Sequence, residues 1–144
     1  MLVEEFIDGF ELETAVLGNG AEIVSGIGQI VPTQEFYSYD AKYNDETSAL
    51  VFDPPIPAEK TAELRRTAAR VFRLLGCRGL SRVDFFLRKS DGQVIFNEIN
   101  TLPGFTSISM YPKLIERLGI SNTEMITRLI EAALTRQGGC AAHG

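Results

Sequence analysis

Glu98 and Asn100 stand two residues apart at the end of the run Phe96-Asn97-Glu98-Ile99-Asn100, which stops at Thr101-Leu102-Pro103-Gly104. On a strand, alternate side chains face the same way, so both project toward one point. Two oxygen donors aimed together suit a hard cation such as Mg2+, which usually arrives with phosphate. Arg82 and Asp84 repeat that spacing upstream. If the two segments pair, all four side chains can enter one cleft. Asp84, Glu98 and Asn100 would then hold one or two Mg2+ ions against nucleotide phosphates, and Arg82 would stand beside a transferring phosphoryl group. Val83, Phe85, Leu87 and Ile99 take the opposite parity, which suits a core. Phe86 and Phe96 fall on the polar face, where an apolar wall against a nucleobase would explain them. On spacing alone, a surface hairpin with solvated charges fits equally well. The Asn-Thr-Leu-Pro-Gly extension shifts the weight toward a site.

Those residues need strands. Leu80 to Arg88 and Gln93 to Asn100 read as a hairpin around Lys89-Ser90-Asp91-Gly92, with Asp-Gly as the turn signal. Phe10 to Leu17 and Ile23 to Val31 read as a second hairpin, joined at Gly18-Asn19-Gly20. Leu50 to Asp53 is a short strand ended by Pro54-Pro55. Residues 32 to 49 lack periodicity, and a connection of that length is often functional. Ala58 to Leu75 has helical spacing, with Leu64, Ala68, Val71 and Leu75 on one face and Gly76 as the stop. Ser109 to Leu118 and Asn122 to Arg136 read as two further helices, Ser121 and Glu124 forming a capping-box pattern for the second. The fold class is α+β, an antiparallel sheet with flanking helices, in one domain over 1–137. A disordered tail is expected over 138–144.

Composition excludes several classes. The 144 residues suffice for one core, with 44% hydrophobic and 23% charged residues. A net charge of -5 without a basic stripe argues against a nucleic-acid partner. No apolar run reaches membrane-spanning length, so no membrane partner is expected. Cys77 and Cys140 are too few and too far apart for a disulfide framework or a zinc site. No leader pattern is visible, and a cytoplasmic location is the default. His143, the only histidine, lies in the tail, which argues against histidine catalysis. Met1-Leu2-Val3 runs straight into Glu4-Glu5-Phe6, as expected of a chain that begins inside a larger protein.

Five ordered segments carry a resemblance. They are Val3-Glu4-Glu5-Phe6-Ile7 with Gly9 and Glu11, then Phe36-Tyr37-Ser38-Tyr39-Asp40-Ala41-Lys42-Tyr43, then Leu75 to Phe86, then Asn97 to Thr106, then Ser109-Met110-Tyr111-Pro112. At this spacing the chain resembles the C-terminal part of D-alanine–D-alanine ligases, of the ATP-grasp superfamily, over about residues 2–134. The resemblance implies an ATP-grasp C-terminal subdomain using ATP and Mg2+, or Mn2+ in its place. It implies that Glu4, Phe6 and Ile7 line an adenine pocket, that Glu11 binds the ribose hydroxyls, and that Phe36 and Phe86 flank the purine. Asn97 and Glu98 join the nucleotide-binding set. Lys42 would contact the phosphates, and Tyr43 would help close a loop. Asp84, Glu98 and Asn100 would be the metal ligands. Arg82 and the backbone N–H of Gly104 would stabilise the oxyanion of a tetrahedral intermediate. Ser109 and Met110, opening a helix, would hold the carboxylate of a second D-alanine, and Gly104 would border it. The Lys42-Tyr43 pair resembles the dipeptide-forming ligases, since the D-lactate-using vancomycin-resistance ligases replace it.

The implied reaction joins two D-alanines through an acyl phosphate, for peptidoglycan synthesis. A complete ligase of this family is at least twice as long. Its N-terminal domain binds the first D-alanine, and its central subdomain carries a phosphate-covering loop with two lysines. Neither is found in this chain, so an N-terminal half is the expected partner, and the chain alone is expected to show little or no ligase activity. Two other readings stand beside this one: a non-catalytic remnant that binds Mg-nucleotide, and an ATP-grasp ligase using a different second substrate.

Overall fold

The computed structural model describes residues 3–32, 48–106 and 108–137. Phe36, Lys42, Tyr43 and the tail over 138–144 lie outside the described residues. Five strands form one antiparallel sheet in the order β3-β2-β1-β4-β5. They are β1 (Gly9–Gly18), β2 (Ile23–Pro32), β3 (Ser48–Phe52), β4 (Gly79–Arg88) and β5 (Val94–Asn100). The helices are α1 (Ala58–Leu74), α2 (Met110–Glu116) and α3 (Asn122–Gln137). Both hairpins form where Asn-Gly and Asp-Gly sit. Gly20 and Gly92 take positive φ there, +100° and +66°, which side chains resist. The non-local step is β1 against β4, in unbroken register from Gly9↔Arg88 to Gly18↔Gly79.

Period-2 patterning splits the sheet. Leu12, Val16, Ile27, Val83, Phe85 and Leu87 face α1 and meet Leu64, Ala68 and Phe72, with Ile99 and Val94 packed alongside. Burying Leu64 or Phe72 contributes roughly 1.5–3 kcal/mol each. The stripe on α1 differs from the sequence expectation. Phe72, four residues after Ala68, takes the core place expected of Leu75, which is 61% exposed. The helix ends first: Cys77 N–H donates to Phe72 O and Gly76 N–H to Arg73 O, with Gly76 at φ +64°. Leu75 thus sits at the cap, turned off the stripe.

The other face is covered only in part. Ala15 and Leu17 pack with Met110, Tyr111, Leu114 and Ile115 of α2 and with Met125 of α3. The buried Tyr111 hydroxyl donates to Val16 O at 3.1 Å, tying α2 to the central strand. Ser121 Oγ accepts the Glu124 N–H, but the Glu124 carboxylate takes Arg128, so only one arm of the expected capping box forms. Two bulges adjust the sheet. Between Thr14 and Val16 the β1–β2 register slips, and the Ala15 N–H donates instead to the buried Ser25 hydroxyl at 2.9 Å. The second bulge lies in the candidate site.

Candidate active site

Strand register builds the site as rows across the sheet. One row runs Phe52, Gly28, Glu13, Asp84, Glu98 through all five strands. The row toward the Gly18 end holds Ala15, Arg82 and Asn100, and the row on the other side holds Glu11, Phe86 and Ile95. Adjacent rows of one face lie roughly 7 Å apart, and neighbours within a row roughly 5 Å. Arg82, Asp84, Glu98 and Asn100 therefore meet as expected, Asp84 opposite Glu98 and Arg82 opposite Asn100.

The meeting depends on a bulge. Asp84 pairs with Glu98 but Phe85 with Phe96, so Asn97 is the extra residue. Phe96 thereby moves to the Phe85 side, the two rings lying edge to face with centroids 6.1 Å apart. Phe96 is thus not on the polar face, contrary to its sequence parity. Phe86 stays there, half-buried beside Glu11.

Charge is concentrated. Asp84 and Glu13 are 3% and 2% exposed, whereas Glu98 is open to solvent. Arg82 Nε donates to Asp84 Oδ1 at 2.8 Å and a terminal nitrogen to Oδ2 at 2.7 Å, a bidentate fork. Glu13 Oε2 lies 3.3 Å from Arg82 Nε. Burial works against the guanidinium charge. The bond to Asp84 and the fields of Glu13, Asp84 and Glu98 outweigh it, holding Arg82 above its ordinary range. Like charges directly opposite one another destabilise a sheet. Three carboxylates in one row, set against one guanidinium, suit a cationic ligand better than stability.

The donor chemistry fits Mg2+. Asp84, Glu98 and Asn100 offer hard oxygens on one face, and Mg2+ commonly takes one or two carboxylates and completes its shell with phosphate and water. Among the described residues, no three His, Cys, Asp or Glu converge as a cage. Asp84 is held by Arg82, and Asn100 Oδ1 accepts the Leu102 N–H at 3.1 Å. A cation at Asp84 would compete with Arg82 for the same carboxylate oxygens.

The loop after β5 borders this face. Met110 lies over Gly28, in the carboxylate row, and a β-carbon on Gly28 would collide with the Met110 thioether. The Met110 side chain is buried in the core, which leaves only its backbone N–H for a substrate. Ser109 precedes α2 and makes no side-chain cap bond. Its hydroxyl accepts the Thr106 N–H at 3.1 Å and bonds the Thr106 hydroxyl at 2.8 Å. A β-carbon on Gly104 would lie 2.9 Å from Ser109 Oγ, so glycine lets the loop close there. Glu4 and Phe6 are exposed, Phe6 by 88%, and Ile7 is half-buried.

Sequence reasoning passed over Glu13. The signal was present in Glu11-Leu12-Glu13-Thr14-Ala15-Val16, where an acid stands inside a run otherwise fit for a central strand and shares parity with Glu11.

A family model described as D-ala D-ala ligase C-terminus matches residues 1–131. A D-alanine–D-alanine ligase of Acetivibrio thermocellus is 51% identical over 136 residues, covering 94% of this chain and 36% of that relative. The chain thus spans little more than a third of the curated relative it matches. The solved D-alanine-D-alanine ligase of Coxiella burnetii aligns with TM-score 0.80 and 36% identity, covering 94% of this chain and 35% of that one. The VanG D-Ala:D-Ser ligase of Enterococcus faecalis aligns with TM-score 0.74 and 40% identity over 89% of this chain and 37% of its own. A D-alanine–D-alanine ligase of Bacillus anthracis complexed with ATP aligns with TM-score 0.74 and 29% identity, over 94% and 43%.

Proposed function

Because this chain belongs to the D-alanine–D-alanine ligase C-terminal family, we propose that it supplies the nucleotide, metal and second-substrate side of an ATP-dependent D-alanine–D-alanine ligase. The observation that carries the reading is the polar part of the sheet face. There Glu11, Arg82, Asp84, Phe86, Glu98 and Asn100 stand in adjacent rows beside the Gly104–Met110 loop. ATP use is supported by the ATP complex of the Bacillus anthracis relative.

In this reading, Phe86 gives the purine an apolar wall, with Phe36 opposite and Glu4, Phe6 and Ile7 at the rim. Glu11 accepts from the ribose hydroxyls. Asp84, Glu98 and Asn100 would hold Mg2+, which neutralises phosphate charge when bound; Asn97 places Glu98 by making the bulge. Arg82, fixed and cationic, stabilises charge developing on the transferred phosphoryl group and on the tetrahedral intermediate. The Gly104 N–H assists at the oxyanion. Ser109 and the Met110 N–H hold the second carboxylate, while Lys42 and Tyr43 contact phosphates and close the site. The first D-alanine carboxylate takes the γ-phosphoryl group with release of ADP. The amine of the second D-alanine then displaces phosphate and loses a proton, leaving the dipeptide, a peptidoglycan precursor made in the cytoplasm.

The remaining length of such a ligase would supply the first D-alanine site and the phosphate cover. The test is D-alanine-dependent phosphate release from Mg-ATP, by the chain alone and together with the N-terminal part of a relative. Binding of Mg-ATP alone, with turnover only on addition of the N-terminal part, is the expected result. Failure to bind nucleotide and to turn over in either setting would overturn the reading. A different second substrate is a second reading, favoured by the 40% identity to a D-Ala:D-Ser ligase. Faster turnover in that assay with D-serine than with D-alanine would establish it.

A further inference from the structure

The function proposed above gives no work to Glu13. Yet Glu13 stands on the central strand, opposite Asp84, with its carboxylate out of water and Oε2 3.3 Å from Arg82 Nε. Asp84 alone already engages the guanidinium fork through both oxygens. A second buried acid in the same row adds repulsion that a mere counter-ion for Arg82 would not require. The arrangement makes physical sense if Asp84 spends part of the cycle elsewhere. As a metal ligand in the proposed function, Asp84 would share the same two oxygens with the cation, and its hold on the Arg82 fork would loosen.

We infer that Glu13 is a positioning residue for Arg82: it holds the guanidinium at Nε while Asp84 turns to the divalent cation. It touches neither substrate nor metal, and acts by keeping Arg82 aimed and charge-compensated. The reason for Asp84 to turn rests on the proposed function, but the grip of Glu13 on Arg82 can be tested without any metal.

The readout is hydrogen exchange of the Arg82 Nε–H, followed by NMR on the full 144-residue chain. Asp84→Asn imitates the withdrawn carboxylate. The 3.3 Å contact is an ion pair, since the wild-type Nε–H goes to Asp84 Oδ1. With Glu13 as the anchor, the Nε–H passes to Glu13 in D84N and stays protected, and adding Glu13→Gln speeds its exchange by roughly tenfold to a hundredfold, the range of one charge-assisted hydrogen bond. Exchange of the Nε–H in D84N as fast as that of a solvent-exposed arginine would overturn the inference, and this outcome needs D84N alone, so it survives even if E13Q fails to fold. The second arm adds Mg2+ with a non-hydrolysable ATP analogue. Wild type should bind it and keep the Nε–H protected, while E13Q should lose protection on binding. Binding with protection unchanged in E13Q overturns the inference alone. No binding by wild type overturns instead the assignment of Asp84 to a metal, and with it the reason for the anchor.

Discussion

Arg82→Met tests whether the carboxylate row is a closed electrostatic unit. The substitution keeps much of the apolar stem and removes the charge. It leaves Glu13 and Asp84, 2% and 3% exposed, facing each other on adjacent strands. At roughly 5 Å and an effective dielectric of about 20, their repulsion amounts to about 3 kcal/mol. Breaking a buried pair from one side costs about 3–5 kcal/mol. The Arg82 side chain is 21% exposed, which places the expectation at the lower end, about 3 kcal/mol. That is a large share of the stability of an ordinary domain. Urea denaturation of both proteins at neutral pH measures this. A deficit under about 1 kcal/mol would mean that water already screens the row, and would refute the reasoning.

Three further outcomes follow from single contacts. Burial pushes the Tyr111 hydroxyl above its ordinary range. Wild-type stability should therefore fall above about pH 10, where the unfolded tyrosine ionises, and Tyr111→Phe should remove that part of the fall in alkaline denaturation curves. Ser25→Ala deprives the buried Ala15 N–H of its acceptor and should lower stability by about 1–3 kcal/mol in the same urea assay. Gly104→Ala sets a β-carbon against Ser109 Oγ, so the Thr106 amide should exchange faster with solvent while the urea midpoint changes little; an unchanged Thr106 amide would show that the loop accommodates the methyl group.

Much of the site was legible because period 2 is a local property. Arg82 with Asp84, and Glu98 with Asn100, could be placed on one face from spacing, and the two turns fixed their hairpins. What escaped the sequence was non-local. The extra residue at Asn97 carries no mark that tells a bulge from an ordinary strand position, yet it decides that Phe96 leaves the polar face while Glu98 meets Asp84. The slip at Thr14 and Val16 depends on Ser25, ten residues from the amide it receives. Phe72 displaced Leu75 from the core because the helix cap, rather than the apolar period, sets where the stripe ends. Glu13 could be valued only once β1 was known to pair with β4, and that pairing joins segments some seventy residues apart.

The same pairing explains how this chain closes a core while one strip of its sheet stays polar. The face toward α1 is closed by Leu64, Ala68 and Phe72, and the far part of the other face by α2 and α3. Beside α2 and α3, on that second face, lies a strip of sheet that carries the acids, Arg82, Asn100, Phe86 and Ile95. Those buried carboxylates find their counter-charge in the neighbouring row: Arg82 pairs with Asp84, and Glu13 lies against it. On the proposed function, a cation taken up by Asp84 would compete with this internal bond, and a residue that keeps Arg82 in place would reduce what the exchange disturbs.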